Sequence, residues 1–220
     1  IVISNAVANK LKLIKNLNIV YNGVNLSNIK REKPSLPIKV SIKGKTKVGI
    51  IGNCEERKRQ EDFVKAGIEV LQKDMDFCFF IIGNIKTKYC EKLKSFIKNY
   101  EKYFYFIPFQ YKIYSIIKSL DIIVITSKEE AFGRVAIEAG ACNKPVVASD
   151  IGGLPEIIIH KKTGFLVPCC NYKKLAKYIL LLKENPRLKK KLGINAYNHI
   201  KNNFTHTKYI NEIVKIYESS

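Results

Sequence analysis

Residues 127–153 read SKEEAFGRVAIEAGACNKPVVASDIGG, and this stretch decides the fold. An apolar run, Asp121–Thr126, leads into it, and a second, Pro145–Ser149, lies near its end. Between them a polar loop carries Glu130, and a helix opening at Gly133 carries Glu138. Strand, polar loop, helix, strand is the repeating unit of a parallel α/β sheet. In such sheets ligands bind at the carboxyl ends of the strands, where helix N-termini point. The loop therefore places two carboxylates and a glycine-opened helix at a ligand-binding edge.

Outward from this unit the alternation continues. Strands are predicted at Lys47–Ile51, Phe77–Ile82, Tyr103–Ile107, Ile122–Thr126, Val146–Ala148 and Phe165–Val167. The second of these, FCFFII, is apolar throughout, as expected where helices cover both faces of a sheet. Helices are predicted at Lys58–Leu71, Tyr89–Tyr100, Tyr111–Ser119, Gly133–Cys142 and Leu154–Ile159. Three more follow the last strand, at Asn171–Lys183, Pro186–Asn203 and Thr205–Tyr217, with Pro186 suited to a first helical position. The fold class is α/β, a doubly wound parallel sheet with extra C-terminal helices. Ahead of it, residues 1–3 read as the end of a strand, Asn5–Asn16 as a helix, Asn18–Tyr21 as a short strand and Asn22-Gly23 as a turn. Residues 27–45, with Pro34 and Pro37 and no sustained period, read as a linker.

The 220 residues are 46% apolar, ample for one core, and carry a formal charge of +20. Most of that charge is lysine scattered over faces and turns, which reads as compositional drift; a part of it suits an anionic membrane surface. The six cysteines form no C-x-x-C pair, the three histidines are far apart, and a zinc site is not expected. Reduced thiols in a cytosolic protein are the simplest reading. No apolar run reaches the length of a membrane span and no signal peptide is visible. The chain begins at Ile1, in strand-like sequence, and is expected to be a piece of something longer.

Glu130 and Glu138 are the first candidates for chemistry. A carboxylate there can accept two hydrogen bonds from a sugar diol, and Gly133 lets backbone approach a phosphate at the helix start. Spacing alone leaves another reading open, in which both acids are ordinary helix-start partners. Asp74-Met-Asp76 has the form of a metal-binding D-x-D but falls between a helix and a buried strand, where a solvated turn is expected. No G-x-G-x-x-G, Walker loop or nucleophile elbow occurs, which disfavours nicotinamide, nucleoside triphosphate and serine-triad chemistry. His160, His199 and His206 are expected at the surface or helix ends. The aromatics sit mostly in core runs such as Tyr103–Phe109, so no stacking platform for nucleic acid is expected.

The residues around the two glutamates carry a resemblance. Ser127, Glu130, Phe132, Gly133, Glu138, Ala139, Ala141, the run Pro145–Ser149, Gly152, Gly153 and Glu156–Ile158 stand in the order of the E-x7-E region of the retaining family 4 (glycosyl transferases group 1) glycosyltransferases. Lys162–Pro168, Tyr21–Asn25 and Lys58–Gln60 extend the match, so that the chain resembles the C-terminal donor-binding domain of this GT-B family. The resemblance implies a Rossmann-like half of a GT-B fold over residues 46–220, after a linker at 27–45. Residues 1–26 would be the end of the N-terminal acceptor domain and the interdomain connection.

It further implies a nucleotide diphosphate sugar as donor, UDP-, GDP- or ADP-linked, with no metal and no other cofactor. Lys58 would neutralise the diphosphate and Glu130 would contact the transferred sugar, as the catalytic residues. Glu138 would bind the ribose, the backbone of Phe132, Gly133 and Arg134 would line the sugar and phosphate, and Gly152 and Gly153 would shape the loop. Asn53, which would line the phosphate, stands where the family pattern has arginine, so that cation is missing or comes from Arg57 or Arg59. Asn143 and Arg59 replace family glycines, and Asn25 replaces its aspartate; asparagine is the best non-glycine substitute in a left-handed turn. Glu156 is left open, since it could simply cap the next helix. The expected partner is a glycan or lipid-linked acceptor held by a further domain, at the cytoplasmic face of a membrane, with no nucleic acid. A sugar-nucleotide epimerase of the same fold and a basic module for anionic polymers are the alternatives.

Overall fold

The computed structural model describes residues 1–11, 17–38 and 42–219. In chain order the elements are α1 (Asn5–Lys10), α2 (Leu26–Arg31), β1 (Thr46–Ile51), α3 (Gln60–Leu71), β2 (Phe77–Gly83), α4 (Lys88–Phe96), β3 (Phe104–Pro108), α5 (Ile113–Ser119) and β4 (Ile122–Ile125). They continue with α6 (Arg134–Ala141), β5 (Val146–Ser149), α7 (Leu154–Ile157), β6 (Gly164–Val167), α8 (Tyr172–Glu184), α9 (Pro186–Asn203) and α10 (His206–Glu218). The six strands form one parallel sheet in the order β3-β2-β1-β4-β5-β6. The expected doubly wound sheet is therefore what the chain forms. Strand order reverses between β1 and β4, the switch point where such sheets open a crevice at their carboxyl ends.

The FCFFII run shows how the sequence builds this. Phe77, Phe79 and Ile81 enter one core with Phe63, Val70, Phe104, Leu175 and Ile179. Their neighbours Cys78, Phe80 and Ile82 enter the other with Ile117, Ile123, Ile137 and Ala148. Period-two side chains thus fill both faces of one strand. Each buried phenylalanine contributes about 1.5–3 kcal/mol, and Phe79 stacks on Phe104 at 5.1 Å between ring centroids. Two cores on opposite faces hold the sheet rigid, so the loops at its carboxyl edge are set on a fixed frame.

Local departures from the sequence reading have identifiable causes. The helix expected from Lys58 begins at Gln60, because Arg59 adopts a left-handed φ of 48° and Lys58 ends a 3₁₀ turn, Glu56–Lys58. The helix expected to reach Tyr100 stops at Phe96, and a second 3₁₀ turn, Glu101–Tyr103, leads into β3. Asn22-Gly23 is not a turn: the chain runs past it so that Val24 N donates to Phe204 O and Val24 O accepts from His206 N. The stretch expected to run without a sustained period, 27–45, begins inside α2, whose N-terminus Asn25 caps by accepting from Ser27 N and Asn28 N. Residues 12–16 of the helix expected over Asn5–Asn16 lie outside the described residues.

Candidate functional site

The loop after β4 assembles the first half of the site. Thr126 Oγ1 donates to the Lys58 carbonyl at 2.8 Å, which pins the 3₁₀ turn beside β4. The Lys58 ammonium then reaches Glu130 Oε2 at 2.7 Å, and Ser127 Oγ donates to the same oxygen at 3.1 Å. Both side chains are largely sheltered, 20% exposed for Lys58 and 15% for Glu130. The pair lines a cleft of about 270 Å³ together with Ile3, Asn22, Phe132, Gly133 and Arg134. Gly133 is left-handed, with φ 108°, and no side chain caps the α6 amides that follow it. An uncapped helix start on a cleft favours an anion there.

The helix α6 presents Glu138 to a second cavity of about 260 Å³, lined also by Ile51, Gly52, Asn53, Gly83, Phe109 and Tyr111. Ile51 borders both cavities, so the two adjoin at the end of β1, beside the switch point. Burial raises the Glu138 pKa above the ordinary carboxylate value, and Arg134 opposes the shift. The Arg134 guanidinium lies 3.3 Å from Glu138 Oε1. Phe109, expected in the core, is 62% exposed at the rim of this cavity and packs edge-on to Tyr111 at 5.2 Å. The run leaves the sheet at Pro108, so its last aromatic has no facing layer.

The glycine pair works on the loop from behind. A Cβ at Gly152 would stand 1.9 Å from the Glu130 carbonyl oxygen, and one at Gly153 would stand 2.7 Å from Phe132 Cα. Gly153 N also donates to the Glu130 carbonyl at 3.0 Å. The two residues thus shape the Glu130 loop, while neither lines the two adjoining cavities.

The two arginines considered for the phosphate are engaged elsewhere. Arg59 grips Asp62 through two nitrogens at 2.6 and 3.0 Å. Arg57 pairs with Glu55 at 2.8 Å and lines a further depression with Lys10 and Lys128, which shares Glu130 and Ala131 with the cleft. The Asn53 carbonyl accepts from Gln60 Nε2, and the residue is exposed and lines the second cavity. Asn143 is left-handed, φ 58°, as expected of a residue standing for glycine.

Sequence reasoning missed a third feature. Glu156 does cap a helix, but the helix is α1: its carboxylate accepts from Asn5 N, Asn5 Nδ2 and Ala6 N, each at 2.9 Å, and from Tyr21 Oη at 2.8 Å. Ser4 Oγ, fully buried, donates to the Ala131 carbonyl. The N-terminal segment is thereby bound to the Glu130 loop, and Ile3 and Asn22 become walls of the cleft. The only sequence signal was the acid itself, since its partners lie 135–151 residues away.

The remaining candidates stand apart. Asp74 and Asp76 both pair with Lys183 at the amino end of β2, away from the cleft, so Asp74 is an ion-pair partner rather than a merely solvated turn residue. His199 is half-buried near the end of α9, where the expectation of a surface or helix-end residue allowed it, and its buried Nε2 accepts no hydrogen bond. His160 Nδ1 accepts from Leu166 N near β6. Burial pushes the Cys54 and Cys142 thiols up to about 12. Among the described residues no helix is long and apolar enough to cross a membrane.

Residues 32–199 match the family described as glycosyl transferases group 1. An uncharacterized glycosyltransferase of Methanocaldococcus jannaschii is 31% identical over 209 residues, covering 93% of this chain and 53% of that protein. The N-acetyl-alpha-D-glucosaminyl L-malate synthase of Bacillus anthracis is 27% identical, over 92% of this chain and 54% of that one. The chain spans about half the length of the curated relatives it matches. Among solved structures, the C-terminal domain of a glycosyl transferase group 1 protein from Francisella tularensis superposes with a TM-score of 0.73 at 27% identity, over 84% of this chain and all (100%) of that one. An Anabaena protein, HepE, solved with UDP, shares the fold with a TM-score of 0.82 at 24% identity, over 92% of this chain and 57% of that one.

Proposed function

The chain belongs to the glycosyl transferases group 1 family, and from that premise we propose that residues 46–220 bind the nucleotide diphosphate sugar of a retaining, metal-independent transferase. Residues 27–45 serve as the linker, and residues 1–26 as the tail of an acceptor-binding domain. The observation that carries the reading is the convergence of the Lys58–Glu130 pair and Glu138 on two adjoining cavities around an uncapped helix start.

In this reading the nucleoside lies in the second cavity, with its ribose diol on Glu138, and the diphosphate lies over the α6 amides. Glu130 accepts hydroxyls of the sugar to be transferred. As the bond between sugar and phosphate breaks, negative charge grows on the departing oxygen. Lys58, already fixed by Thr126 and Glu130, stabilises that charge without reorganising. The glycan or lipid-linked acceptor is held by the further domain, at an anionic membrane surface.

Calorimetric titration with UDP, GDP, ADP and their sugar conjugates tests the reading; UDP comes first, because HepE is solved with it. One nucleotide should bind, and Glu138→Ala should weaken it by about 1–3 kcal/mol, the scale of hydrogen bonds to a charged group. A folded chain that binds none of them at millimolar concentration would refute the proposal.

A further inference from the structure

The two adjoining cavities contain four charged side chains, and their balance singles one out. Among the described residues, Lys58 and Arg134 are the cations that line them, facing Glu130 and Glu138. A nucleoside diphosphate brings several negative charges into a site whose own charges cancel. Lys58, which the reading above gives to the diphosphate, is offset by a sheltered carboxylate 2.7 Å from its ammonium. Arg57 and Arg59 line neither cavity, and they pair with Glu55 and Asp62 at 2.8 and 2.6 Å. Arg134 is not held in this way. Its side chain is 71% exposed and meets Glu138 through one nitrogen at 3.3 Å, which leaves most of its five donors unused.

Its position is also costly for the helix. Arg134 is the first residue of α6, where the dipole disfavours a cation and nothing caps the amides. The same face carries Glu138 four residues on, so the side chain spans the boundary between the cavities. We propose that the Arg134 side chain is the second diphosphate-binding cation of this chain. When ribose hydroxyls occupy Glu138, the guanidinium leaves that carboxylate and takes the phosphate oxygens as a two-pronged donor. The inference rests on the donor reading above, and it assigns to a helix residue the cation that Asn53 does not supply.

The test uses the 220-residue chain with UDP, GDP and ADP. The diphosphate that binds the unaltered chain is then compared with its parent nucleoside on Arg134→Gln, Arg134→Lys and the control Arg57→Gln. Arg134→Gln should weaken the diphosphate about tenfold to a hundredfold and leave the nucleoside within about twofold. Arg134→Lys should recover part of the loss, and Arg57→Gln should change little. Equal loss for diphosphate and nucleoside, or no loss for either, would overturn the assignment while the donor site stood. A chain that binds none of the three diphosphates would remove both.

Discussion

Replacing Glu138 by glutamine should separate stability from binding. The side chain is 10% exposed, and its contact is a single nitrogen, at 3.3 Å, of an arginine whose own side chain is 71% exposed. A buried carboxylate so weakly partnered costs folding energy, and burial accordingly raises its pKa. The sign follows from linkage. A folded-state pKa above the unfolded one gives a contribution that is fully present below the ordinary value of 4.5 and is lost as pH rises through the folded pKa. Glutamine keeps the shape, never ionises and can still accept from Arg134. Glu138→Gln should therefore stabilise the chain by about 1–2 kcal/mol near neutral pH, as removal of a poorly compensated buried charge does. The gain should shrink toward zero below pH 4.5. Urea denaturation followed by circular dichroism, on both proteins at an acidic and a slightly alkaline pH, reads this directly. The same variant should bind nucleotide more weakly. A variant less stable than its parent at the higher pH, or a difference that does not change with pH, would refute the account of Glu138 as a strained, function-serving charge.

Three further outcomes follow from the supporting residues. Burial pushes the Tyr21 phenol up to about 12, helped by its bond to Glu156, so Glu156→Ala should bring its ultraviolet titration back toward 10 and cost about 1–2 kcal/mol as the N-terminal segment loosens. Burial alone would raise the Glu156 pKa, but the Asn5 and Ala6 amides and Tyr21 hold it low, so this clasp should be present above the ordinary carboxylate value and fade as pH falls through the folded one. Gly152→Ala should displace the Glu130 loop, because its Cβ would sit 1.9 Å from a carbonyl oxygen at a φ of 55°; a loss of about 2–4 kcal/mol in denaturation together with weakened donor binding is expected. Asn143→Gly should be nearly neutral and Asn143→Ala should cost about 1 kcal/mol, since only the left-handed backbone is at stake; equal stabilities for the two would argue against that backbone.

Much of this molecule is legible along one dimension. The apolar runs with period two, the helical faces and the glycine punctuation depend on neighbours close in sequence, and they yielded the six strands, their helices and the sheet edge that carries Glu130 and Glu138. Glu130, Gly133 and Glu138 were readable for the same reason: one loop and one helix carry all three. The left-handed turn at Asn143 was readable because backbone preference is a property of the residue itself.

What the sequence left open were the pairings of distant charges. Lys58 and Glu130 meet across 72 residues, and only the switch between β1 and β4 brings their loops together. The same holds for Glu156, whose partners on α1 lie on the far side of the chain, and for Arg57 and Arg59, which spacing made candidates and geometry engaged elsewhere. Arg134 was visible as a residue of the helix start, but its place as the uncommitted cation was not. That place depends on which other charges are already neutralised, a sum over contacts that only the tertiary structure completes.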